Sequence, residues 1–296
     1  MRIITYSRAG TGETEQALTE GLEVHGTGSR HRIFYARDLL GKIPRVIDGW
    51  RPTAVTTQTP WEEGNVGARL ARRMEAAFLP QLHFDLFAPA WRAEHWSNPW
   101  RARFAHASLR RATRIRVVSD AVGAALRTAF GQGCPPVDVI PVGVDFVPAQ
   151  ATAVEARARL GFADAPTLLF VGRLVPSKQL DLWLDVAARI HDRLPAARFL
   201  LAGDGPERAR LAQRLETSAL GGSVRLLGSV AHADLPLLYA AADAFLLTSS
   251  HEGFGRVLLE AAIAAVLTPR KLVACRTACV TWFVAISGSW AMPASA

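Results

Sequence analysis

Two glutamates eight positions apart, Glu252 and Glu260, carry the densest chemical signal in this 296-residue chain. They sit in His251-Glu252-Gly253-Phe254-Gly255-Arg256-Val257-Leu258-Leu259-Glu260, at an expected turn from strand to helix. Gly253 and Gly255 let the backbone come close to a ligand, and the free N–H groups of a new helix would face an anion. Were 252–260 all helical, the carboxylates would stand ~12 Å apart along the axis. A retaining-glycosidase pair needs ~5–5.5 Å. Contact with two ends of one elongated ligand fits better. The alternative is an N-capping glutamate followed by an exposed helix glutamate.

A second signal is Gly172-Arg173-Leu174-Val175-Pro176-Ser177-Lys178. A glycine ends an apolar run, and two cations follow five residues apart. Cations converging at the end of a parallel strand neutralise a pyrophosphate. The alternative is a solvated loop. Gly203-Asp204-Gly205-Pro206 is a third loop on the same rim, and by itself reads as a turn.

The elements that must position these residues form a β-α alternation. Residues 167–172 read as a buried strand, and Leu180, Trp183, Leu184, Ala187, Ile190 and Leu194 mark one helix face. Strands at 198–202, 224–227 and 244–247 alternate with helices from Glu207, near 233–241 and over 257–265. The pattern predicts a doubly wound parallel sheet. The first half repeats it more weakly. Its strands are expected at 2–6, 54–56, 82–84, 115–118 and 137–140, and its helices at 34–47, 65–73, 96–109 and 121–129. The expected domains are 1–148 and 149–265, with an atypical tail at 266–296.

Composition narrows the class. Half of the residues are hydrophobic, a fifth are charged and mean hydropathy is +0.13, which excludes a disordered or collagen-like chain. Three cysteines cannot frame a disulfide fold, and they lack zinc-like companions. A cytoplasmic setting is expected, since the N-terminal apolar run is too short for a signal peptide. Net charge is +8, and only Lys42, Lys178 and Lys271 among the 34 basic residues are lysines. The excess sits in the first half and the tail, which suits acidic ligands or an anionic membrane surface. No nucleic-acid signature appears, and the charge of 151–265 is balanced, so nucleic acid is not expected as a partner.

Taken in order, Gly-Arg-Leu-(x)3-Lys at 172–178, Gly-Asp-Gly-Pro at 203–206 and Glu-Gly-Phe-Gly at 252–255, with Glu260 closing Glu-(x)7-Glu, resemble the retaining glycosyltransferases of family 4. First-half segments also resemble members of that family: 57–62 (TQTPWE), 81–85 (QLHFD), 116–119 (RVVS) and 140–145 (IPVGVD). The resemblance covers roughly residues 25–265. It implies the GT-B fold, two Rossmann-like α/β domains facing a cleft. The implied reaction transfers a hexose from a nucleotide sugar to an acceptor hydroxyl, with retention of configuration. Arg173 and Lys178 would bind the donor pyrophosphate, with Gly172 and Gly203 on the same rim. Glu252, with the backbone of Gly253 and Phe254 beside Gly255, would hold donor-sugar hydroxyls, and Glu260 the ribose. The backbone around Gly228 and Val230 would meet the base. His83 would contact the sugar near the reacting carbon, the alternative being a satisfied core histidine. No metal or other cofactor is expected, the two cations replacing a metal electrostatically.

Three departures stand out. Gln179 occupies a position where family members commonly have glycine. The start, Met1–Arg8, looks like a later strand of the first domain, and segment 9–14 (AGTGET) lacks a P-loop lysine. After Ala262 an acid-free tail replaces the family's closing elements and leaves a sheet edge open. Leu272–Met292 has the length of a membrane span but is rich in Ser, Thr and Gly, so a packed or disordered tail is expected. Loss at both ends reads as a frameshifted or fragmentary product, which makes an inactive fragment the alternative function.

Seven arginines against one acid, Glu94, fall between Trp91 and Arg116. Trp96, Trp100 and Phe104 share one face of the expected helix. Such a helix suits an anionic membrane near a lipid-linked acceptor, while a polysaccharide acceptor is equally open. The competing expectation is that the aromatic stripe faces the core.

Overall fold

The computed structural model describes residues 1–5, 15–19, 22–27, 29–31, 34–250, 252, 254–266, 272–276 and 281–285. The Gly-rich segment 9–14 and Gly253 lie outside the described residues. Backbone contacts divide the chain into two compact units, Met1–Pro141 and Val142–Ala296. Phe146 already belongs to the second unit's core, although the sequence reading sets its boundary after residue 148.

The first unit contains β1 (Arg2–Thr5), β2 (Glu15–Thr19), β3 (Leu22–Gly26), α1 (Tyr35–Val46), β4 (Ala54–Thr57), α2 (Glu62–Met74), β5 (Ala77–Leu82), α3 (Pro89–Glu94), α4 (Asn98–Leu109), β6 (Ile115–Val117), α5 (Asp120–Phe130) and β7 (Val137–Val139). One sheet has the order β1-β3-β2, and the other runs β4-β5-β6-β7 with every pair parallel. Two expectations are corrected here. The strand expected at 82–84 lies at Ala77–Leu82, because Pro80, which pairs with Thr57 in mid-strand, reads as a break. The helix expected at 96–109 begins at Asn98, and a separate helix, α3 at Pro89–Glu94, precedes it with a break at residues 95–97.

The second break overturns the core-facing stripe. Trp96 precedes α4, and Trp96, Trp100 and Phe104 are 80%, 60% and 58% exposed. The buried face of α4 is Asn98, Ala102, Ala105 and Leu109. A Cβ added at Gly64 on α2 would come within 2.8 Å of Ser108 Oγ on α4. Helices this close leave room only for small residues between them, so the large rings stay outside.

The second unit contains α6 (Ala153–Arg159), β8 (Thr167–Val171), α7 (Leu180–Arg193), β9 (Arg198–Ala202), α8 (Arg208–Glu216), β10 (Val224–Gly228), α9 (Leu235–Ala241), β11 (Ala244–Leu247), α10 (Arg256–Val266), β12 (Leu272–Arg276) and β13 (Thr281–Ala285). Its sheet has the order β10-β9-β8-β11-β12-β13, parallel except for the last pair. The edge expected to stay open beside β11 is paired with β12, and the described tail residues are strands. Among the described residues no helix is long and apolar enough to cross a membrane.

Every residue of β8 is buried, as an apolar run flanked by strands on both sides requires. Trp183 on α7 is fully buried, meets Phe170 and Phe199 edge-on, and donates its Nε1–H to the Leu246 carbonyl at 3.1 Å. That bond fixes α7, and the loop before it, against β11. On the other side of the core, buried Arg157 joins α6 to Asp164, Asp243 and the Ala241 carbonyl.

Gln179 sits at the start of α7 with φ +47°, in the left-handed region. That geometry explains why glycine is the family's residue there. A side chain in it costs roughly 1–2 kcal/mol, partly offset by the larger entropy glycine loses on folding. Gln179→Gly is therefore expected to stabilise the chain by about 0.5–1 kcal/mol in urea unfolding. A loss of stability would contradict this reading of the turn.

Candidate active site

The carboxyl ends of β8, β9 and β10 are tied together by backbone alone. Gly203 N–H donates to the Gly228 carbonyl at 2.7 Å, and Gly172 N–H donates to that of Ala202 at 3.0 Å. A Cβ added at Gly203 would fall 1.8 Å from the Gly172 carbonyl oxygen, and one at Gly205 would fall 2.4 Å from that of Leu174. Glycine at 203 and 205 is thus a steric requirement of the rim. The Leu174 N–H donates to the Asp204 carbonyl, and the Glu207 N–H to that of Leu174.

Lys178 ends the short 3-10 turn Pro176–Lys178, and its stem passes Gly172, whose added Cβ would meet the lysine Cε at 3.9 Å. Its Nζ lies 2.5 Å from Glu252 Oε1, with the two side chains only 17% and 19% exposed. Ser249 Oγ donates to the same carboxylate oxygen at 2.6 Å. The loop after β11 is pinned to the turn: Thr248 Oγ1 donates to the Lys178 carbonyl at 2.8 Å, and Ser250 N–H to that of Ser177 at 2.7 Å. Two residues 74 positions apart therefore form one charged unit at the ends of β8 and β11. Neither a capping glutamate nor a solvated lysine describes them. Arg173 is exposed and makes no ion pair among the described residues.

Helix α10 begins at Arg256, so Glu252, Phe254 and Gly255 lie outside it. Gly255 takes φ +71° and its carbonyl accepts from Leu258 N–H, which turns the chain into the helix, with Phe254 just before it. Glu260 is 3% exposed, which excludes the exposed-glutamate alternative. Its Oε2 accepts from the Tyr239 hydroxyl at 3.1 Å, and Oε1 lies 3.6 Å from Arg256. Burial, then the Glu260 charge, pushes the Tyr239 hydroxyl far above its ordinary value, so it stays a donor. A carboxylate has about four acceptor positions, so one such bond leaves Glu260 capacity for ligand hydroxyls.

Val230 packs against the core two residues beyond Gly228. Sequence reasoning missed Arg208, the first residue of α8. Its Nη1 would lie 2.7 Å from a Cβ at Gly228, and it faces Asp204 at 3.6 Å. A cation four residues after Asp204 in the Gly-Asp-Gly-Pro loop was the available signal. Among the described residues no group of three or more His, Cys, Asp or Glu could hold a metal.

In the first unit, His83 follows the last residue of β5, and Gln58 follows the end of β4. His83 Nε2 lies 2.8 Å from Gln58 Oε1. Burial first and the Arg116 charge second lower its pKa from the ordinary 6.5. Arg116 is itself held by Gln81 and by the Ile140 and Pro141 carbonyls. His83 is therefore neutral at pH 7. The unfolded chain protonates this imidazole at higher pH than the folded one. Its contribution to stability is full above the ordinary value and is lost as pH falls through the lowered folded value. An NMR titration of the His83 ring should give a midpoint below 6.5, and a midpoint at or above it would contradict the geometry.

Comparison with known proteins follows both units. The family described as "Glycosyl transferase 4-like domain" matches residues 1–143, and "Glycosyl transferases group 1" matches 154–268. A GDP-mannose-dependent alpha-mannosyltransferase of Mycobacterium tuberculosis is 30% identical over 83% of this chain and 63% of its own. A D-inositol 3-phosphate glycosyltransferase of Kineococcus radiotolerans is 37% identical over 51% of this chain and 37% of its own. The chain thus spans less than two thirds of the length of these curated relatives. Among solved structures, sucrose-phosphate synthase of Thermosynechococcus elongatus superposes with TM-score 0.75 at 22% identity, covering 93% of this chain and 70% of that one. Anabaena Alr3699/HepE, in complex with UDP and glucose, gives 0.69 at 21%, over 93% and 80%. These structural likenesses establish the fold. With both of its units matched, the chain belongs to the family 4 glycosyltransferases, which have the GT-B fold.

Proposed function

We propose that the protein transfers a hexose from a nucleoside diphosphate sugar to an acceptor hydroxyl with retention of configuration. The Lys178–Glu252 pair on the glycine rim carries this reading. It sets a cation for phosphate beside a carboxylate for sugar hydroxyls, at the strand ends where open α/β sheets bind ligands. In this account Arg173 and Lys178 bind the pyrophosphate and stabilise the charge that develops on the leaving nucleoside diphosphate. They supply electrostatically what a metal would otherwise provide. Glu252, with the backbone of Gly253 and Phe254, holds donor-sugar hydroxyls, Glu260 holds the ribose, and His83 approaches the sugar near the reacting carbon.

Two nucleotide sugars named with the similar proteins serve as probes. One relative is named for GDP-mannose, and Alr3699/HepE is seen with UDP-glucose. Both nucleotide sugars are therefore the probes for a transfer and donor-hydrolysis assay. Arg173→Ala or Glu252→Ala should lower turnover by about 10²–10³-fold, the usual effect of removing one transition-state contact. Unchanged turnover in both variants would reject the site. Donor binding with no transfer by the unaltered chain would favour an inactive remnant.

The acceptor side has a specific observation of its own. Exposed Trp96, Trp100 and Phe104 lie among Arg92, Arg101 and Arg103. Indole rings at the headgroup level and arginines on anionic lipid are a standard pairing at membrane surfaces. We read this face as a peripheral contact, on the cytoplasmic side, that brings the protein to a lipid-linked acceptor. Vesicles containing phosphatidylglycerol should co-sediment the protein at low salt and release it at high salt. Trp96→Ser with Trp100→Ser should abolish the binding. Equal sedimentation of the variant, or none by the unaltered chain, would remove the membrane from the account.

A further inference from the structure

The carboxyl ends of β4 and β5 carry two rungs of side-chain hydrogen bonds. Gln58 and His83 each stand one residue past the end of their strands, which pair in parallel. His83 Nε2 lies 2.8 Å from Gln58 Oε1, and this is the upper rung. Two residues back along each chain lie Thr56 and Gln81, the spacing that returns to the same face of a strand. Gln81 Nε2 donates to Thr56 Oγ1 at 3.1 Å, and Thr56 Oγ1 donates to the Leu79 carbonyl at 2.8 Å. Arg116 on β6 donates to Gln81 Oε1, and to the Ile140 and Pro141 carbonyls at 3.0 and 2.9 Å. The lower rung thus ties the two strand ends together beneath the imidazole.

A neutral imidazole carries one proton, and the bond made by one ring nitrogen decides the role of the other. An amide oxygen only accepts, so the proton that faces Gln58 Oε1 is on Nε2. Nδ1 then carries a lone pair, and among the described residues it has no hydrogen-bond partner. The choice of an amide matters. A carboxylate at this position would select the same tautomer, but it would also favour the imidazolium. The amide selects the tautomer and adds no charge. Arg116, the charged group acting on the ring, opposes protonation from the neighbouring strand. A neutral accepting nitrogen suits a hydroxyl and repels a phosphate oxygen, which an imidazolium would attract.

We infer that Gln58 is a positioning residue, which holds His83 as the Nε2–H tautomer and keeps Nδ1 open to accept from a ligand hydroxyl. The tautomer follows from the first unit alone. That the hydroxyl belongs to the donor sugar rests on the transfer reading above.

Nitrogen-15 NMR of the whole chain tests the inference. His83→Gln identifies the His83 signals among those of eight histidines. Above the midpoint of the ring, the unaltered chain should show Nε2–H alone. Gln58→Leu removes the acceptor and should give a mixture of both tautomers, as a free imidazole does. Gln58→Glu keeps an accepting oxygen, so it should retain the single tautomer while raising the midpoint above that of the unaltered chain. Gln58 is exposed, so neither change touches the core. An Nδ1–H ring in the unaltered chain, the same tautomer in Gln58→Leu, or an unmoved midpoint in Gln58→Glu would overturn the inference. These readouts decide it whether or not the chain turns over a donor. Turnover of GDP-mannose and UDP-glucose then separates it from the transfer reading. With both correct, the acid limb of the kcat profile moves upward in Gln58→Glu together with the NMR midpoint. A tautomer that depends on Gln58, beside a kcat profile that stays in place, upholds the positioning and refutes the part of His83 in transfer. A tautomer indifferent to Gln58, in chains that all turn over donor, refutes the positioning alone.

Discussion

The main chain at the ends of β8 and β9 approaches so closely that no side chain fits between. A Cβ at Gly203 would sit 1.8 Å from the Gly172 carbonyl oxygen, far inside any van der Waals contact. Everything at the rim depends on this approach. It sets where β8 stops, and so where the 3-10 turn carrying Lys178 begins. It also aligns Gly203 with Gly228, so that three strand ends present backbone in one line. Behind the rim stands an unbroken core of Phe170, Trp183 and Phe199, dense enough that the loops in front inherit its rigidity.

On that frame the charges are arranged in advance. Lys178 and Glu252 satisfy one another in a mostly buried setting, with Ser249 donating to the same carboxylate oxygen. Neither charge is left alone out of water, which would cost several kcal/mol per ion. Under the proposed function a diphosphate at the rim would offer Lys178 a second, doubly charged partner, and sugar hydroxyls would offer Glu252 neutral donors. Under the proposed function the pair would be exchanged for ligand contacts, while Thr248 and Ser250 clamp the two loops together. Such preorganisation is how fixed charges stabilise a transition state without reorganising during the reaction. In the first unit His83 is held neutral by burial and by Arg116, a state suited to hydrogen bonding with a sugar.

Much of this is legible in the residues themselves. The apolar runs at 167–171 and 198–202, the helical spacing from Leu180 onward and the three glycine loops all announce a parallel sheet with glycine-tight strand ends, because local pattern and tertiary burial agree there. The failures occur where they disagree. Pro80 stands inside a parallel strand, and the period through Trp96, Trp100 and Phe104 starts before the helix does, since α4 begins at Asn98. The face of α4 that packs is alanine, chosen by the closeness of α2, so hydrophobicity pointed to the wrong side. The Lys178–Glu252 and Tyr239–Glu260 pairs, and Arg208 beside Gly228, depend on which loops meet in space, and no periodicity carries that.

The central claim is that the glycine-tight rim of the second unit is the donor-phosphate site. The most direct test is calorimetric titration of UDP and GDP into the unaltered chain and into Gly203→Ala, with the fold of each checked by circular dichroism. One added methyl must push the ends of β8 and β9 apart while every charged residue of the sequence stays unchanged. The account predicts nucleoside diphosphate binding by the unaltered chain, and its loss in a variant that remains folded. Equal affinity in the two chains would show that the diphosphate binds elsewhere, and would contradict the account.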